Sequence, residues 1–345
     1  MTEKREPYRH GGSRFTSCDG AAQCQRHLEP EDQAEDRKQR GHAAILSHAL
    51  HWRIAEAFPK HSLLMTFLDV TRVYQRPLPS TSVGAGAGLR TELHHFDLVV
   101  PDGWQQGTGA FGGWVMAVLI RGIEAVVAEP GRALRSLTAE IPAPVMVGEA
   151  TLSVEVLRTG ASVTTVAARL LQKGQIQAHA VAIMGTPRML ENADDHAEIA
   201  RPVVTSWREL EPIPPDVPNV PVFSRHFEFR LVDGLPFRGA AKSGAVGWIR
   251  MRDPGPVKDA ALVVAHVDAW WPAEFARMKS QRPMVTAAFS LQLVGGPEAW
   301  KTDAPLLHTS RSLAARQGYV TEVRELWTED GELVALNEQT MVIVK

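Results

Sequence analysis

An acidic side chain, Asp268, lies within an apolar stretch of the 345-residue chain. Residues 262–267 read LVVAHV, so a helix here has almost no polar face and should be surrounded by protein. An ionised carboxylate in such a setting is costly unless it is paired, hydrogen-bonded or shifted in its pKa. Burial and the C-terminal end of a helix both raise a carboxyl pKa, which makes the group a better general base near neutral pH. Asp268 is therefore the first candidate catalytic residue.

Pro272 sets where this helix ends. A proline supplies no N–H to the carbonyl four residues before it, and its ring crowds that carbonyl. The carbonyl in question belongs to Asp268, so the helix should end or kink just past this residue and leave backbone groups without helical partners. The alternative to a catalytic role is that Asp268 only caps the helix or pairs with an arginine such as Arg277.

Other catalytic chemistries find little support in the sequence. There is no GxSxG nucleophile motif, no Walker loop and no HExxH zinc motif. His266 lies two residues from Asp268, and residues two apart on a helix face different directions, which favours a packing role. Side chains of the types that can bind metals lie toward the N-terminus: Cys18, Cys24, His42, His48 and His51. They do not complete a ligand set, so no metal and no cofactor is expected.

Composition limits the partners of the chain. Its formal net charge of −2 gives no general attraction to nucleic acid or to anionic membranes. No apolar run approaches the ~20 residues that a membrane helix needs, and the first residues carry no apolar segment of a secretory signal. We expect a cytoplasmic protein with no nucleic-acid partner and no membrane span, and homo-oligomerisation stays open. Met65 is an alternative start of the chain.

The chain divides by composition into four parts. Residues 1–88 are polar and end in a Gly-rich stretch, which predicts a partly disordered N-terminal extension and linker with one short helix over 42–58. The hydrophobic pattern of residues 89–187 predicts a strand, an apolar helix and about four antiparallel strands. Residues 188–222 form a Pro-rich linker. Residues 223–345 repeat the strand, helix and sheet order.

The two similar parts predict a duplicated fold. When their last hairpins are aligned, Lys173-Gly174 falls on Asp330-Gly331 and Met184 falls on Met341. One long apolar helix wrapped by a curled antiparallel sheet is the hotdog arrangement, and two copies that pair edge to edge bury both helices and close the open edges. We therefore predict an α+β double hotdog, in which a strand before Pro142 is edge-like or bulged, plus a poorly structured N-terminal extension.

Residues from about 93 to 345 resemble the acyl-CoA thioesterase II family, the TesB-like double-hotdog thioesterases. Phe111-Gly112-Gly113 is similar to the FGG segment at the start of the family's first helix. The stretch HVDAWWPA resembles the segment that carries the family's catalytic aspartate, which falls on Asp268. VTAAFS and ALNEQTMV resemble the strands that carry its threonine and glutamine, which fall on Thr286 and Gln339. The resemblance implies that these three residues hold the water that attacks the thioester of an acyl-CoA substrate.

Strand alternation supports these residues unequally. Gln339 shares one face of the strand over 333–343 with apolar residues that only Asn337 interrupts. The opposite face also carries apolar residues, so the inward direction of Gln339 stays open. An inward glutamine would have to find hydrogen-bond partners. Strict alternation places Thr286 opposite to Phe289 and Leu291, which turns it away from the apolar face unless a bulge reorients it. Alternation alone therefore favours a structural role for Thr286.

The first copy differs from the second at the candidate site. Gln339 aligns with Ala182, and the first helix has no carboxylate at the position of Asp268, which predicts one active centre per chain. Gly112 and Gly113 would bind substrate by letting backbone N–H groups approach a carbonyl oxygen, or would serve close packing of the helix. Trp114 stands where the family often has a polar residue.

Two functions follow from these observations. The first is hydrolysis of acyl-CoA thioesters by water that Asp268 activates. The second is a non-catalytic module with the same fold that binds acyl thioesters or lipids, because a fold does not determine function. Three arginines could meet CoA phosphates or belong to a solvated sheet face: Arg311, Arg316 and Arg324.

Overall fold

The computed structural model describes residues 65–77, 92–188, 196–295 and 304–344. The helices in these ranges are α1 (Phe67–Val70), α2 (Gly112–Val126) and α3 (Ala260–Asp268), with 3-10 turns at Trp207–Glu209, Val222–His226 and Ala273–Ala276. None of the helices in these ranges is long and apolar enough to cross a membrane. The predicted helix over 42–58, both cysteines and most of the predicted linker before residue 89 lie outside the described residues.

Antiparallel strands form the rest of the fold. In chain order they are β1 (Tyr74–Gln75), β2 (Leu93–Val100), β3 (Gln105–Gln106), β4 (Gly109–Ala110), β5 (Ala133–Glu140), β6 (Gly148–Thr159), β7 (Val163–Gln172), β8 (Gln175–Gly185), β9 (Phe227–Asp233), β10 (Ala245–Met251), β11 (Met284–Leu293), β12 (Leu306–Arg316), β13 (Tyr319–Trp327) and β14 (Leu333–Ile343). A 12-stranded sheet has the order β1-β2-β6-β7-β8-β5-β11-β14-β13-β12-β10-β9, and β3 pairs with β4.

Two similar units make up the long sheet. The first unit is β2-β6-β7-β8-β5 with α2, and the short strand β1 extends it at its outer edge. The second unit is β11-β14-β13-β12-β10-β9 with α3. They join where β5 pairs with β11, with Ala139 opposite Phe289. The strand predicted to be edge-like is β5, which ends at Glu140 before Pro142 and is the edge of the first unit that β11 covers. This arrangement confirms the predicted α+β double hotdog.

The ends of α3 follow from its sequence. The Asp259 side chain caps the helix, because its Oδ1 accepts a hydrogen bond from the Leu262 N–H at 2.9 Å. Every residue of α3 is buried, as its apolar sequence predicts. The helix ends at Asp268, and Pro272 precedes the 3-10 turn. The predicted stop just past Asp268 is therefore confirmed.

The two long helices pack against each other in opposite directions. Gly113, at the start of α2, lies so close to α3 that an added Cβ would be 3.0 Å from Ala265 Cα. Further along α2, Arg121 forms an ion pair with Asp259 at the start of α3. The start of α2 is consequently next to the end of α3, where Asp268 lies.

Residues 65–77 also pack into the folded body, although they fall in the range predicted to be an extension. Thr66 and Asp69 form a reciprocal capping box that starts α1. Phe67 and Val70 are buried in the core. The indole N–H of Trp114 donates to the carbonyl of Val70 at 3.1 Å, so this tryptophan ties α2 to α1.

Candidate active site

Three side chains from separate elements meet at the end of α3. Gln339 Nε2, on β14, donates a hydrogen bond to Asp268 Oδ1 at 2.9 Å. Thr286 Oγ1, on β11, donates to Gln339 Oε1 at 2.8 Å. Because Oε1 accepts from Thr286, the amide nitrogen of Gln339 is turned toward Asp268. The structure thus brings together the three candidate residues from the three elements that the sequence indicated.

Gln339 lies on the inward face of β14. It is completely buried, as are Ala335, Asn337 and Met341 on the same face, whereas Glu338 is exposed. The second amide N–H of Gln339 bonds to Asn337 Oδ1 at 2.9 Å. Asn337 Nδ2 in turn donates to the carbonyl of Ser290 at 2.7 Å. The direction that alternation left open is therefore inward, and every polar atom of the Gln339 amide has a partner.

A β-bulge turns Thr286 toward the site. The pairing of β11 with β14 shifts between Thr286 and Ala288, so one extra residue stands in β11. The alternation reverses there: Val285 is 51 % exposed, whereas Phe289 is 2 % exposed and shares the inward face with Thr286. The prediction from strict alternation that Thr286 points away was wrong, because it assumed an unbroken strand.

The glycines at the start of α2 lie against the carboxylate of Asp268. An added Cβ on Gly112 would be 2.6 Å from Asp268 Oδ2. The backbone N–H of Gly113 stabilises the ionised form of the same carboxylate and so opposes the effect of burial on its pKa. A Cβ on Gly113 would meet the Phe111 ring at 2.4 Å and the backbone of Ala265 at 3.0 Å. Gly113 is therefore needed for close packing of the two helices, and Gly112 for close approach to Asp268.

Arg324, on β13, is a site residue whose burial the sequence reasoning missed. It is 2 % exposed, so it does not belong to a solvated sheet face. Its Nη1 lies 3.7 Å from Asp268 Oδ1, and its Nε donates to Glu322 Oε1 at 2.8 Å. Arg277, the arginine suggested as the partner of Asp268, instead pairs with Glu274. One signal was available, because Glu322 and Arg324 share one face of β13 with the apolar Val320 and Leu326.

Residues 100–186 match the family model of the acyl-CoA thioesterase N-terminal domain, and residues 202–343 match that of the C-terminal domain. Together the two matches cover most of the chain. The chain belongs to the acyl-CoA thioesterase family. This confirms the resemblance that the FGG segment and the residues around Asp268, Thr286 and Gln339 indicated. Among curated proteins, none matches the chain.

Solved structures share the fold of this thioesterase-family chain at low sequence identity. A protein of unknown function with a hot dog fold from Alicyclobacillus acidocaldarius is 22 % identical, with a TM-score of 0.67 over 81 % of this chain and 98 % of its own. The tesB protein of Mycobacterium avium subspecies paratuberculosis is 16 % identical, with a TM-score of 0.61 over the same shares. An acyl-CoA thioesterase II, TesB2, from Mycobacterium marinum is 18 % identical, with a TM-score of 0.58, again over 81 % and 98 %.

Burial controls the protonation of Asp268 in this family member. It raises the pKa of the carboxyl above its ordinary value, against the opposing effects of Arg324, the Gln339 amide and the Gly113 N–H. The direction of the pKa shift is the one predicted from the apolar helix. Within the described part of the chain, no three His, Cys, Asp or Glu side chains group closely enough to hold a metal ion.

The two buried histidines near α3 differ in their contacts. His266 Nδ1 donates to the carbonyl of Leu262 at 2.8 Å, and its Nε2 accepts the backbone N–H of Met251 at 3.1 Å. Burial lowers the pKa of His266 to about 4, so it is a neutral packing histidine, as predicted. His308 stacks on Trp270 with ring centroids 5.4 Å apart, and burial together with Arg324 lowers its pKa well below the usual range.

The first unit of this thioesterase-family chain carries apolar residues at the matching positions. A bulge between Leu134 and Ser136 in β5 corresponds to the bulge in β11, and it places Leu137 opposite Ala182 as Phe289 stands opposite Gln339. The residues that correspond to the polar side chains of the second unit are then read from the strand pairing. Thr286, Glu322, Arg324, Asn337 and Gln339 correspond to Leu134, Val166, Ala168, Ala180 and Ala182. The polar cluster therefore belongs to the second unit.

Proposed function

We propose that this chain hydrolyses acyl-CoA thioesters to a free acid and CoA. The observation that carries the proposal is the hydrogen-bonded series from Thr286 through Gln339 to Asp268, in a chain of the acyl-CoA thioesterase family. The series lies where the C-terminal end of α3 meets the N-terminal end of α2. A base and a set of backbone N–H groups thus stand side by side.

Asp268 acts as the general base. Its carboxylate takes a proton from a water molecule while that water attacks the carbonyl carbon of the thioester. Because burial raises its pKa, the carboxylate accepts this proton more readily than an exposed aspartate near neutral pH. Gln339 holds one carboxylate oxygen, and Thr286 holds the Gln339 amide in the orientation that this contact requires.

The start of α2 stabilises the oxyanion that the attack creates. The first N–H groups of a helix have no partners within it, and the helix dipole favours negative charge there. The Gly113 N–H stabilises the carboxylate of Asp268, and the Gly112 N–H is the donor we assign to the carbonyl oxygen of the substrate. When the tetrahedral intermediate collapses, the C–S bond breaks and CoA leaves as a thiolate, which receives the proton held by Asp268.

One observation favours the alternative, a non-catalytic module that binds acyl thioesters or lipids. Both N–H groups of the Gln339 amide bond to protein acceptors, Asp268 and Asn337, so neither is directed at a water molecule. In that function the same polar network would only hold the two helices together. Tight binding of acyl-CoA without turnover would support this alternative.

Release of free thiol from a series of acyl-CoA substrates separates the two functions. We expect steady thiol release by the wild type and a decrease of at least about a hundredfold in Asp268→Asn, as is typical for the loss of a general base. Asp97→Asn is the matched control, because Asp97 lies on β2 in the first unit, where it pairs with Arg76. Turnover that is unchanged in Asp268→Asn would falsify the assignment of the base.

A further inference from the structure

Arg324 and Glu322 form a buried ion pair under the end of α3. They stand two residues apart on β13 and face the helix, with exposed fractions of 2 % and 0 %. Arg324 Nε donates to Glu322 Oε1 at 2.8 Å. Removing two charges from water is costly, and the attraction within the pair offsets that cost only if further hydrogen bonds satisfy both groups.

Arg324 finds its further partners at the last carbonyls of α3. Its Nη1 donates to the carbonyl oxygens of Val267 and of Asp268, each at 3.1 Å. The last carbonyls of a helix have no partners within it, and Pro272 has no N–H to offer to the carbonyl of Asp268. Arg324 therefore supplies the donor that the proline removes.

Glu322 holds the chain on the other side of the proline. Its Oε2 accepts the backbone N–H of Ala273 at 2.7 Å, at the start of the 3-10 turn. The two side chains of the pair thus fasten the backbone at the end of the helix and immediately after the proline that follows it. Asp268 is the residue at that point.

The fold itself does not require this pair. The corresponding residues of the first unit are Val166 and Ala168, and β7 nevertheless occupies the same place in its sheet as β13. The helix of the first unit has 15 residues, whereas α3 has 9. The ion pair therefore accompanies the early end of α3 and the carboxylate of Asp268, and it is no general feature of the duplicated unit.

We propose that Arg324 and Glu322 are positioning residues for the hydrolytic reaction: Arg324 fixes the end of α3 so that the Asp268 carboxylate faces Gln339, and Glu322 holds Arg324 in place. The inference rests on the proposed function of Asp268 as the base. Arg324 also brings a positive charge to 3.7 Å from Asp268 Oδ1, while Glu322 brings a compensating negative charge.

The charged and titratable groups that face Asp268 come from few elements. β13 contributes Arg324 and Glu322, and β12 contributes the buried His308 beside Arg324. From β11 and β14 come the neutral side chains of Thr286, Asn337 and Gln339, and from α2 comes the backbone of its first glycines. His266, on α3 itself, bonds to Leu262 and Met251 instead. Arg324 and Glu322 are thus the charges to change.

The test is the pH dependence of kcat/KM for thiol release in two single variants. Arg324→Met removes the positive charge and should move the acidic limb of this profile, where Asp268 becomes protonated, to higher pH by about one unit. Glu322→Gln leaves the charge of Arg324 uncompensated and should move the acidic limb to lower pH by about one unit. Both should lower kcat roughly tenfold or more, because the carboxylate is no longer held in place. Opposite shifts are a result that general loss of structure does not produce.

Two further variants keep the test decisive. Arg324→Met/Glu322→Gln carries no buried charge at this position and guards against misfolding of a single variant. It should return the acidic limb close to that of the wild type while kcat stays low. Arg132→Met removes a buried arginine of the first unit, which bonds to Thr164, and should leave the acidic limb in place. The inference would be overturned if the acidic limbs of both single variants coincided with that of the wild type. It would also be overturned if both limbs moved in the same direction.

Failure of the proposed function can be told apart from failure of this inference. If the wild type releases no thiol from any acyl-CoA, hydrolysis itself is refuted. The positioning role is then read from the 13C NMR titration of the Asp268 carboxyl, assigned by its loss in Asp268→Asn. The titration midpoint should rise in Arg324→Met and fall in Glu322→Gln, and a midpoint unmoved in both would refute the positioning role.

Discussion

The amide of Gln339 donates to the carboxylate of Asp268 at 2.9 Å across 71 positions of sequence. This contact joins β14, the last of the described strands in chain order, to the end of the second long helix. Both side chains are buried, so the contact is made in a low-dielectric interior where a hydrogen bond to a charged group is strong. Most of what we predict for this protein depends on how the carboxylate is held.

Replacing Gln339 by alanine should reduce kcat for thiol release roughly ten- to a hundredfold. The variant loses the donor that orients Asp268 Oδ1 and leaves a buried acceptor on Asn337 unpaired. Thiol release and urea unfolding should be measured together. Gln292→Ala, on the exposed side of β11, is the matched control and should retain activity. Full activity in Gln339→Ala would contradict the orienting role.

Thr286→Val should lower kcat about tenfold, and Thr286→Ser should keep most of the activity. Valine has nearly the shape of threonine but cannot donate to Gln339 Oε1, so the amide is free to rotate away from Asp268. A side-chain hydrogen bond of about 1–1.5 kcal/mol corresponds to a change of this size. Steady-state kinetics on both variants test this prediction. An equal decrease of kcat in Thr286→Val and Thr286→Ser would mean that the hydroxyl is not the important group.

The two adjacent glycines should respond differently to alanine. Gly112→Ala places a Cβ at 2.6 Å from Asp268 Oδ2, so the carboxylate must move and activity should fall about a hundredfold. Its stability should hardly change, because alanine favours a helix over glycine. Activity and thermal unfolding should be compared in the two variants.

Gly113→Ala should instead lose stability. The added Cβ meets the Phe111 ring at 2.4 Å and the backbone of Ala265 at 3.0 Å, which forces the two long helices apart. Overpacking of this kind costs about 1–3 kcal/mol in the free energy of unfolding. If Gly113→Ala unfolds at the wild-type temperature, the packing between α2 and α3 is looser than the structure indicates.

Glu124 on α2 should make stability depend on pH. Burial raises its pKa from 4.5 to about 7, with a further increase from Asp259 and an opposing effect from Arg121. The folded state therefore binds more protons than the unfolded state between these values, and the free energy of unfolding should fall as the pH rises from about 4.5 to 7.

Glu124→Gln should remove this dependence and be more stable than the wild type at pH values above about 7. The gain relative to the wild type should grow by roughly 1–3 kcal/mol across the window. Urea unfolding at several pH values measures it. Glu338→Gln, on the outward face of β14, serves as the control and should follow the wild type. A constant difference at all pH values would show that Glu124 does not titrate in this window.

Much of the fold could be predicted from the sequence, because its signals are local. The apolar run before Asp268 predicts a helix buried on all sides, and Pro272 predicts its end. The repeated order of strand, helix and hairpins predicts the duplication, and the strand pairing confirms Ala182 as the counterpart of Gln339. These patterns depend on neighbours in sequence, so they can be read without knowing the tertiary structure.

The sequence by itself therefore determined the double hotdog, the family, and Asp268 as the first candidate for the base. Only the tertiary structure decided the direction of Thr286, because the bulge that turns it inward exists only in the pairing of β11 with β14. It also decided that Arg324 and not Arg277 stands beside Asp268. The physical reason is the same in both cases: register and burial of charge depend on contacts between residues far apart in the chain, which no local pattern records.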